Sequence, residues 1–333
     1  MKIKKWHIIA VKIITPIAFL IAIASWLGRP IVTSTPITYG ATFSKRYATD
    51  LGLNWQEVYR AVLFDLKIPT IRLPVYWDEV EPRDGEYNFS DVDWQINEAK
   101  VAGAKIILAL GRRVPRWPEC FEPNWLNNQD ESVKREKIKK LLVAEVNHFK
   151  QHKNIVIWQV ENEPLFGLFG QCPPPDIKFL REEIATVKAL DPRPVMVTDS
   201  GELQEWVRAA QVGDILGVTM YRQVGNQTLD NIYIRWPAFF YRIKLRLASV
   251  FAREIDLVEF QAEPWTSSTL DKEPIPKQLE KMNIERIKTL LYVARKSGLH
   301  DISFWGVEWW YWLKLRGVND FWDFGKEIIR SQQ

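Results

Sequence analysis

Histidine and cysteine are scarce in this chain of 333 residues, which holds four histidines and two cysteines. Zinc sites are built largely from these side chains, and the two cysteines lack the spacing of a zinc pair, so we expect no metal site. The chain also lacks the GxGxxG and GxxxxGK[ST] patterns that hold phosphates at the start of a helix. We therefore expect no nucleotide and no other cofactor.

Acidic residues are absent from the first 35 residues, which carry five cations: Lys2, Lys4, Lys5, Lys12 and Arg29. Because the whole chain has a net charge of +4, the remainder carries −1. A near-neutral main domain has no basic footprint for phosphate backbones. This distribution excludes nucleic acid as a partner.

The basic start is followed by an apolar stretch at residues 8–27. The part of this stretch after Lys12 has the length of a signal-peptide core, and Ala22 and Ala24 suit a cleavage site. Trp6 and Trp26 also bracket a helix of about 30 Å, which suits an uncleaved membrane anchor. Both interpretations place the rest of the chain outside the cytoplasm, either anchored or secreted.

From residue 36 onward the chain alternates short β-rich runs with helical patterns, which is typical of parallel βα units. Helices are predicted at residues 132–151, 176–190, 203–211, 237–253 and 275–297, and Ser90 reads as a helix cap. Strands are predicted at residues 37–41, 70–75, 105–110, 155–161, 194–198, 215–220, 257–262 and 302–305. Eight units predict a single α/β domain at 36–333, a (β/α)8 TIM barrel, preceded at 1–35 by a hydrophobic signal or anchor helix.

Two of the predicted strands end in a glutamate followed by proline: Glu163 after the fourth strand and Glu263 after the seventh. Proline turns the chain out of the sheet, so both carboxylates should face the barrel mouth. Glycoside hydrolysis uses such a pair, one to protonate the leaving oxygen and one to attack the sugar. We predict a glycoside hydrolase whose catalytic pair is Glu163 and Glu263. Glu161 and Glu259 should also point inward, and we interpret them as paired structural groups.

Two parts of the chain resemble the clan A glycoside hydrolases, a superfamily of retaining (β/α)8 enzymes: Asn162-Glu163-Pro164, and the second strand with its loop at 71–74, 77–82 and 85–89. They are similar to families 5, 10 and 42. The resemblance implies a retaining mechanism with Glu163 as acid/base and Glu263 as nucleophile. The resemblance implies that Arg72 lies beside the nucleophile, that Asn162 binds the sugar 2-hydroxyl, that Tyr221 orients Glu263 and that Trp305 forms the floor under the scissile sugar. Family 5 enzymes have histidines after the third and sixth strands, whereas this chain has none at those positions. We therefore assign no family from the sequence.

Tryptophan is abundant, with 16 residues, and its flat face suits the CH surfaces of sugars. Among loop aromatics, Trp77, Trp117 and Trp265 flank the motifs at the barrel mouth and are our candidates for sugar platforms. Trp309, Trp310 and Trp312 are either a further platform or packing for the last helix.

The predicted partners are a β-linked oligo- or polysaccharide substrate and, through the N-terminal segment, a membrane; we expect a monomer. A transglycosylase that remodels a cell-envelope glycan would use the same residues, and a non-catalytic polysaccharide-binding barrel is the alternative from another class. Cys120 and Cys172 should lie in loops at the same barrel end, where an exported protein permits a disulfide; two free thiols are the alternative.

Overall fold

A closed barrel of eight parallel strands occupies the centre of the computed structural model, which describes residues 2–31, 36–224, 232–233, 235–266 and 269–331. Neighbouring strands follow chain order around the barrel, and the last strand pairs with the first. The eight predicted strands and the (β/α)8 barrel are confirmed. The barrel strands are β1 (Thr38–Thr42), β2 (Thr70–Pro74), β3 (Lys105–Leu110), β4 (Ile155–Val160), β5 (Val195–Asp199), β6 (Ile215–Met220), β9 (Glu254–Gln261) and β10 (Asp301–Trp305).

Helices surround the barrel, and a short antiparallel ribbon of β7 (Gln223–Val224) and β8 (Ile232–Tyr233) follows β6. A π-helical turn at Ala61–Asp65 extends the third helix. The helices are α1 (Lys2–Leu27), α2 (Lys45–Asp50), α3 (Trp55–Arg60), α4 (Trp77–Val80), α5 (Ser90–Val101), α6 (Glu131–Phe149), α7 (Ile177–Leu190), α8 (Val207–Ala210), α9 (Ala238–Ala248), α10 (Ile275–Lys281), α11 (Ile284–Ser297), α12 (Val307–Lys314) and α13 (Asp320–Arg330).

Three helix predictions need correction. The helix expected at 275–297 is broken, because Met282 is extended and the Asn283 side chain caps α11 by accepting a hydrogen bond from the backbone N–H of Arg286. The helix expected at 203–211 is reduced to α8. Ser90 is the first helical residue of α5 rather than its cap. The apolar pattern does not reveal a capping side chain such as that of Asn283, which sets the start of α11.

The barrel interior is filled near its middle by apolar side chains from five strands, which form a cluster separate from the shell between strands and helices. The cluster contains Ile107, Ile157, Met196, Ile215 and Val258. This layer leaves the carboxyl ends of the strands free to carry polar side chains.

One extra residue interrupts β9. Leu257 pairs with Val218 of β6, but the next pair joins Glu259 to Thr219, so Val258 is skipped. The ladder with β10 shifts over the same residues, and the Val258 carbonyl accepts a hydrogen bond from the Thr42 hydroxyl at 2.9 Å. Such a β-bulge re-aims the following side chains. It allows Val258 and Glu259, which are adjacent in sequence, both to face the interior.

The N-terminal segment forms α1, but the predicted anchor is not confirmed. None of the residues that the structure describes belongs to a helix that is both long enough and apolar enough to span a membrane. The side chains of residues 1–12, including Trp6 and Lys12, lie outside the described part. Leader and anchor therefore both stay predictions.

The two cysteines form a disulfide. Cys120 lies in the loop after β3 and Cys172 in the loop after β4, with their Cα atoms 5.4 Å apart. Of the two alternatives, the disulfide is confirmed and the free thiols are wrong. The bond ties together two loops at the carboxyl end of the barrel.

Replacing both cysteines (Cys120→Ala with Cys172→Ala) should lower the free energy of unfolding by about 2–5 kcal/mol, because the unfolded chain regains the entropy that the cross-link removes. Chemical denaturation of the oxidised protein and the double variant measures this difference. Reductant should destabilise the parent and leave the variant unchanged. Equal stability of the two oxidised proteins would contradict the prediction.

Candidate active site

A fully buried guanidinium, that of Arg72, crosses the interior of the barrel at the carboxyl end. Arg72 donates to Gln159 Oε1 at 2.6 Å, to Glu259 Oε1 at 2.7 Å and to Asn162 Oδ1 at 2.6 Å. The partners come from β4, from β9 and from the loop after β4, so one cation fixes groups on opposite sides of the barrel. The Asn162 amide, predicted to bind sugar, has its oxygen fully engaged within this network.

The carboxylate that Arg72 pairs with is Glu259, not Glu263. Tyr221 likewise donates its hydroxyl to Glu259 Oε2 at 2.9 Å. The predictions that Arg72 lies beside Glu263 and that Tyr221 orients Glu263 are therefore wrong in their partner. Both residues donate instead to Glu259, which the bulge in β9 turns toward them.

Glu163 is buried next to this pair. Its backbone N–H donates to Thr198 Oγ1 at 2.7 Å, and its Oε1 accepts from the Thr219 hydroxyl at 3.2 Å. Burial raises the pKa of the Glu163 carboxyl well above its usual range, and the negative charges of Glu119 and Glu259 raise it further. A carboxyl in this environment favours its protonated form.

Glu263 belongs to a second charged cluster at the same end of the barrel. Arg116 Nη1 donates to Glu263 Oε1 at 2.5 Å, and Arg116 Nη2 lies 3.4 Å from Glu308 Oε2. Glu308 also accepts the backbone N–H of Ser44 at 2.6 Å. Burial raises the pKa of Glu308 to about 7, with Arg116 opposing this and Glu263 adding to it. One guanidinium thus serves two buried carboxyl groups.

The Arg116 guanidinium also lies between two aromatic rings. Its central carbon is 3.7 Å from the centroid of Tyr47 and 4.0 Å from that of Trp305. Trp305 ends β10, as expected of a floor under the scissile sugar, but Arg116 covers one face of its ring. These cation–π contacts and the two carboxylates hold Arg116 as part of the wall of the site.

Aromatic rings continue outward from this wall. Tyr221 contacts Trp305 and Trp265 edge-on, with centroid distances of 6.2 and 5.7 Å. Trp265 meets Phe169 at 5.7 Å, and Phe169 meets Trp117 at 5.5 Å. Trp117 is 58% exposed. The candidate platforms Trp265 and Trp117 therefore lie on one continuous track of rings.

The platform prediction for Trp77 is wrong. Its ring is fully buried, and its indole N–H donates to Glu81 Oε2 at 2.6 Å. Trp309, Trp310 and Trp312 are buried as well, which supports the packing interpretation for them. A loop position next to a motif does not show which way a helical turn such as α4 faces.

The loop after β3 supplies groups that the sequence analysis did not select. Glu119 forms an ion pair with Arg113 at 2.6 Å and accepts a hydrogen bond from the Asn162 amide at 3.3 Å. Burial is the main cause that raises the pKa of Glu119 to about 7. Arg116 comes from the same loop. The run of cations that directly follows the third strand was the available signal, because residues after barrel strands reach the mouth.

Glu161 has the structural role that was expected of it. Its carboxylate accepts the backbone N–H groups of Arg112 at 2.7 Å and Arg113 at 2.8 Å. Gly111 has φ of +103°, and a Cβ there would lie 2.3 Å from Glu161 Oε1. Only glycine fits this close approach. Glu161 thus fixes the start of the loop that carries Arg116 and Glu119.

A parallel barrel whose carboxyl end holds a glutamate of raised pKa near a carboxylate fixed by two donors has the arrangement that glycosidases use. The sequence pattern of the cellulase family, glycosyl hydrolase family 5, matches residues 37–216, more than half of the chain. The protein is a glycosidase, and the chain belongs to glycosyl hydrolase family 5. The resemblance to clan A enzymes is confirmed.

Other known proteins resemble the chain more distantly. The β-galactosidase LacZ of Lactobacillus acidophilus is 26% identical over 181 residues, which cover 46% of this chain and 26% of that protein. The chain thus spans about a quarter of the curated relatives it matches.

Two solved structures share the fold. The exo-β-1,4-mannosidase Op5Man5 from Opitutaceae bacterium strain TAV5 has a TM-score of 0.58 at 14% identity, covering 89% of this chain and 59% of that one. Xylanase 10B from Thermotoga maritima has a TM-score of 0.57 at 15% identity, covering 81% and 82% of the two chains. At such identities the likeness shows the fold alone.

The raised pKa of Glu163 predicts a stability cost. Above the pKa of an unfolded glutamate, the unfolded chain releases a proton that folded Glu163 keeps, so folding loses stability as the pH rises. Glu163→Gln should therefore raise the melting temperature at pH 7–8, by roughly 1–2 °C for each kcal/mol recovered in a chain of this length. Thermal unfolding of both proteins across pH measures the gain, which should vanish near pH 4.

The control for this measurement is Glu136→Gln, which changes an exposed glutamate of α6. It should leave the melting temperature nearly unchanged at every pH. A Glu163→Gln variant that is less stable than the parent at pH 8 would contradict the assigned protonation.

Proposed function

We propose that the protein hydrolyses a β-linked oligo- or polysaccharide by a retaining double displacement, with Glu163 as general acid/base and Glu259 as nucleophile. The observation that carries this proposal is the clamp on Glu259. Arg72 and Tyr221 each donate to one of its two oxygens, while the neighbouring Glu163 has a raised pKa. A carboxylate held by two donors, next to a carboxyl group of raised pKa, suits the two roles.

Glu259 replaces Glu263 in this proposal because of what each carboxylate contacts. The network of Arg72 links Glu259 to Asn162, the residue that directly precedes Glu163. Glu263 instead shares Arg116 with Glu308, and it lies in the loop beyond β9 rather than in the strand. A nucleophile needs a fixed orientation toward the reacting carbon, which two donors on a barrel strand provide.

In the first step Glu259 attacks the anomeric carbon, and Glu163 gives its proton to the departing glycosidic oxygen. A bond forms between sugar and Glu259, and the bond to the leaving sugar breaks. Glu163, now ionised, takes a proton from water, which attacks the same carbon and releases Glu259. Arg72 and Tyr221 hold the Glu259 oxygens throughout and receive its charge when it is released.

The β linkage is proposed from two kinds of support. Op5Man5 acts by its name on β-1,4-mannosides, and the curated relatives are β-galactosidases. The track from Tyr221 through Trp265 and Phe169 to Trp117 gives sugar rings flat apolar contacts away from the reacting carbon. Transfer to a sugar acceptor in place of water would use the same residues.

Azide rescue on activated aryl β-glycosides tests the two roles, after a panel of gluco-, galacto-, manno- and xylosides has identified a substrate. Glu259→Ala should lower kcat at least about 10³-fold, and azide should then attack directly and give the α-glycosyl azide. Glu163→Ala should still form the glycosyl-enzyme from an activated substrate, and azide should give the β-glycosyl azide. Product stereochemistry is read by NMR.

The matched control is Glu263→Ala, which changes the glutamate in the loop directly after β9. It should keep turnover without azide, with a loss below about 10²-fold, because it disturbs Arg116 rather than the nucleophile. An α-glycosyl azide from Glu263→Ala, with activity intact in Glu259→Ala, would return the nucleophile to Glu263. A parent protein that binds glycans but turns over none of the panel would favour the non-catalytic binding barrel.

We further propose that residues 1–35 export the chain and hold its catalytic domain at the outer face of a membrane. Within α1 the apolar side chains from Ile13 to Trp26 are largely exposed, which leaves them free to contact lipid. The disulfide supports an oxidising compartment.

Cell fractionation tests the location. The full chain should pellet with membranes and be accessible to protease only from the outer side, whereas Ile17→Asp with Leu20→Asp should release it or block its export. A full chain recovered in the cytoplasmic fraction with reduced cysteines would contradict the proposal.

A further inference from the structure

Three carboxyl groups meet at the amino ends of β9 and β10, the end of the barrel opposite to Glu163 and Glu259. They belong to Glu254, Asp256 and Asp301, and one oxygen of each lies within 4.8 Å of the others. Glu254 is exposed, Asp301 is half-buried and Asp256 is buried. The glycosidase chemistry makes no use of this cluster.

Asp256 is the unusual member. Its side chain is 7% exposed, and its Oδ1 is buried without a hydrogen-bond partner in the described part of the chain. A buried carboxyl group normally has a cation or several donors around it, as Glu259 has from Arg72 and Tyr221. Burial raises the pKa of Asp256 well above its usual range, and the charges of Glu254 and Asp301 add repulsion.

The neighbouring donors serve Asp301 instead. The Thr38 hydroxyl donates to Asp301 Oδ1, and His300 Nε2 lies 3.2 Å from Asp301 Oδ2. Each charge that shifts the pKa of Asp256 is negative. The buried carboxyl group of Asp256 therefore lies beside two negatively charged neighbours, Glu254 and Asp301.

We propose that Glu254, Asp256 and Asp301 bind a divalent cation of the calcium class. Hard cations take oxygen ligands, and calcium–oxygen bonds of about 2.3–2.6 Å allow two ligand oxygens up to roughly 5 Å apart. The oxygens of the cluster lie within 4.8 Å of one another, which fits this span. The exposed Glu254 gives the ion a path from solvent.

Such an ion would stabilise the barrel rather than assist catalysis. The amino ends of barrel strands contribute to stability, and the carboxyl ends carry the active site. Asp301 starts β10, which pairs with β1 to close the barrel. The cation would neutralise the charge of β9 and β10 where this closure begins.

Calcium titration of the full-length protein, stripped of metal with EDTA and kept in mild detergent, tests the site. Isothermal titration with CaCl2 should give one ion per chain, and the melting temperature should rise by roughly 2–4 °C at about 100-fold excess over Kd. Asp256→Asn should weaken binding at least ten-fold and lose the calcium-dependent shift. In EDTA it should melt above the parent, since it removes a buried repulsion.

Glu136→Gln on α6 serves as the control for general charge and should keep both the binding and the shift. If Asp256→Asn does not fold, Glu254→Gln at the exposed position should weaken binding in its place. Three results would each overturn the proposal. The first is no binding or shift in the parent up to about 10 mM calcium, roughly ten-fold above the Kd of the weakest extracellular sites. The others are a full calcium shift in a folded Asp256→Asn and unchanged binding in Glu254→Gln.

Discussion

The buried charge of Arg72, in the barrel interior at the carboxyl end of the strands, is the constraint on which the site depends. A guanidinium removed from water is costly unless its donors are matched, and here Gln159, Glu259 and Asn162 accept from it. Removing Glu259 would leave the cation without its counter-ion. The network thus couples folding to the position of the proposed catalytic groups, because the polar groups of the barrel interior are paired only when these side chains are in place.

Most of the fold could be predicted from the sequence, and the reason is physical. Parallel strands covered by helices are continuous apolar runs, and each of the eight runs corresponded to a strand. Helix ends were less accessible, because a single capping side chain such as Asn283 divides one amphipathic stretch into α10 and α11. The disulfide remained an alternative until the two loops were placed in space.

The site could be predicted only in part. The motif around Glu163 followed from the sequence, whereas the resemblance selected Arg72 and Tyr221 but gave them Glu263 as their partner. The choice between Glu259 and Glu263 did not follow from the sequence, because alternation along a strand gives both the same direction and cannot reveal a bulge. Arg116 was missed for a different reason: its φ of +93° and its place between Tyr47 and Trp305 depend on contacts between distant loops.

The bulge in β9 limits how this scaffold can be re-engineered. Loops at the mouth of a barrel can be exchanged because the strands hold their own register, but β9 holds the position of Glu259 only through the extra residue Val258. Deleting Val258 would restore a regular ladder and rotate either the apolar layer or the carboxylate out of the interior. A chimera that replaces β9 with a strand from another barrel must therefore keep residues 257–261 of this chain. It must also keep Thr42, whose hydroxyl donates to the Val258 carbonyl.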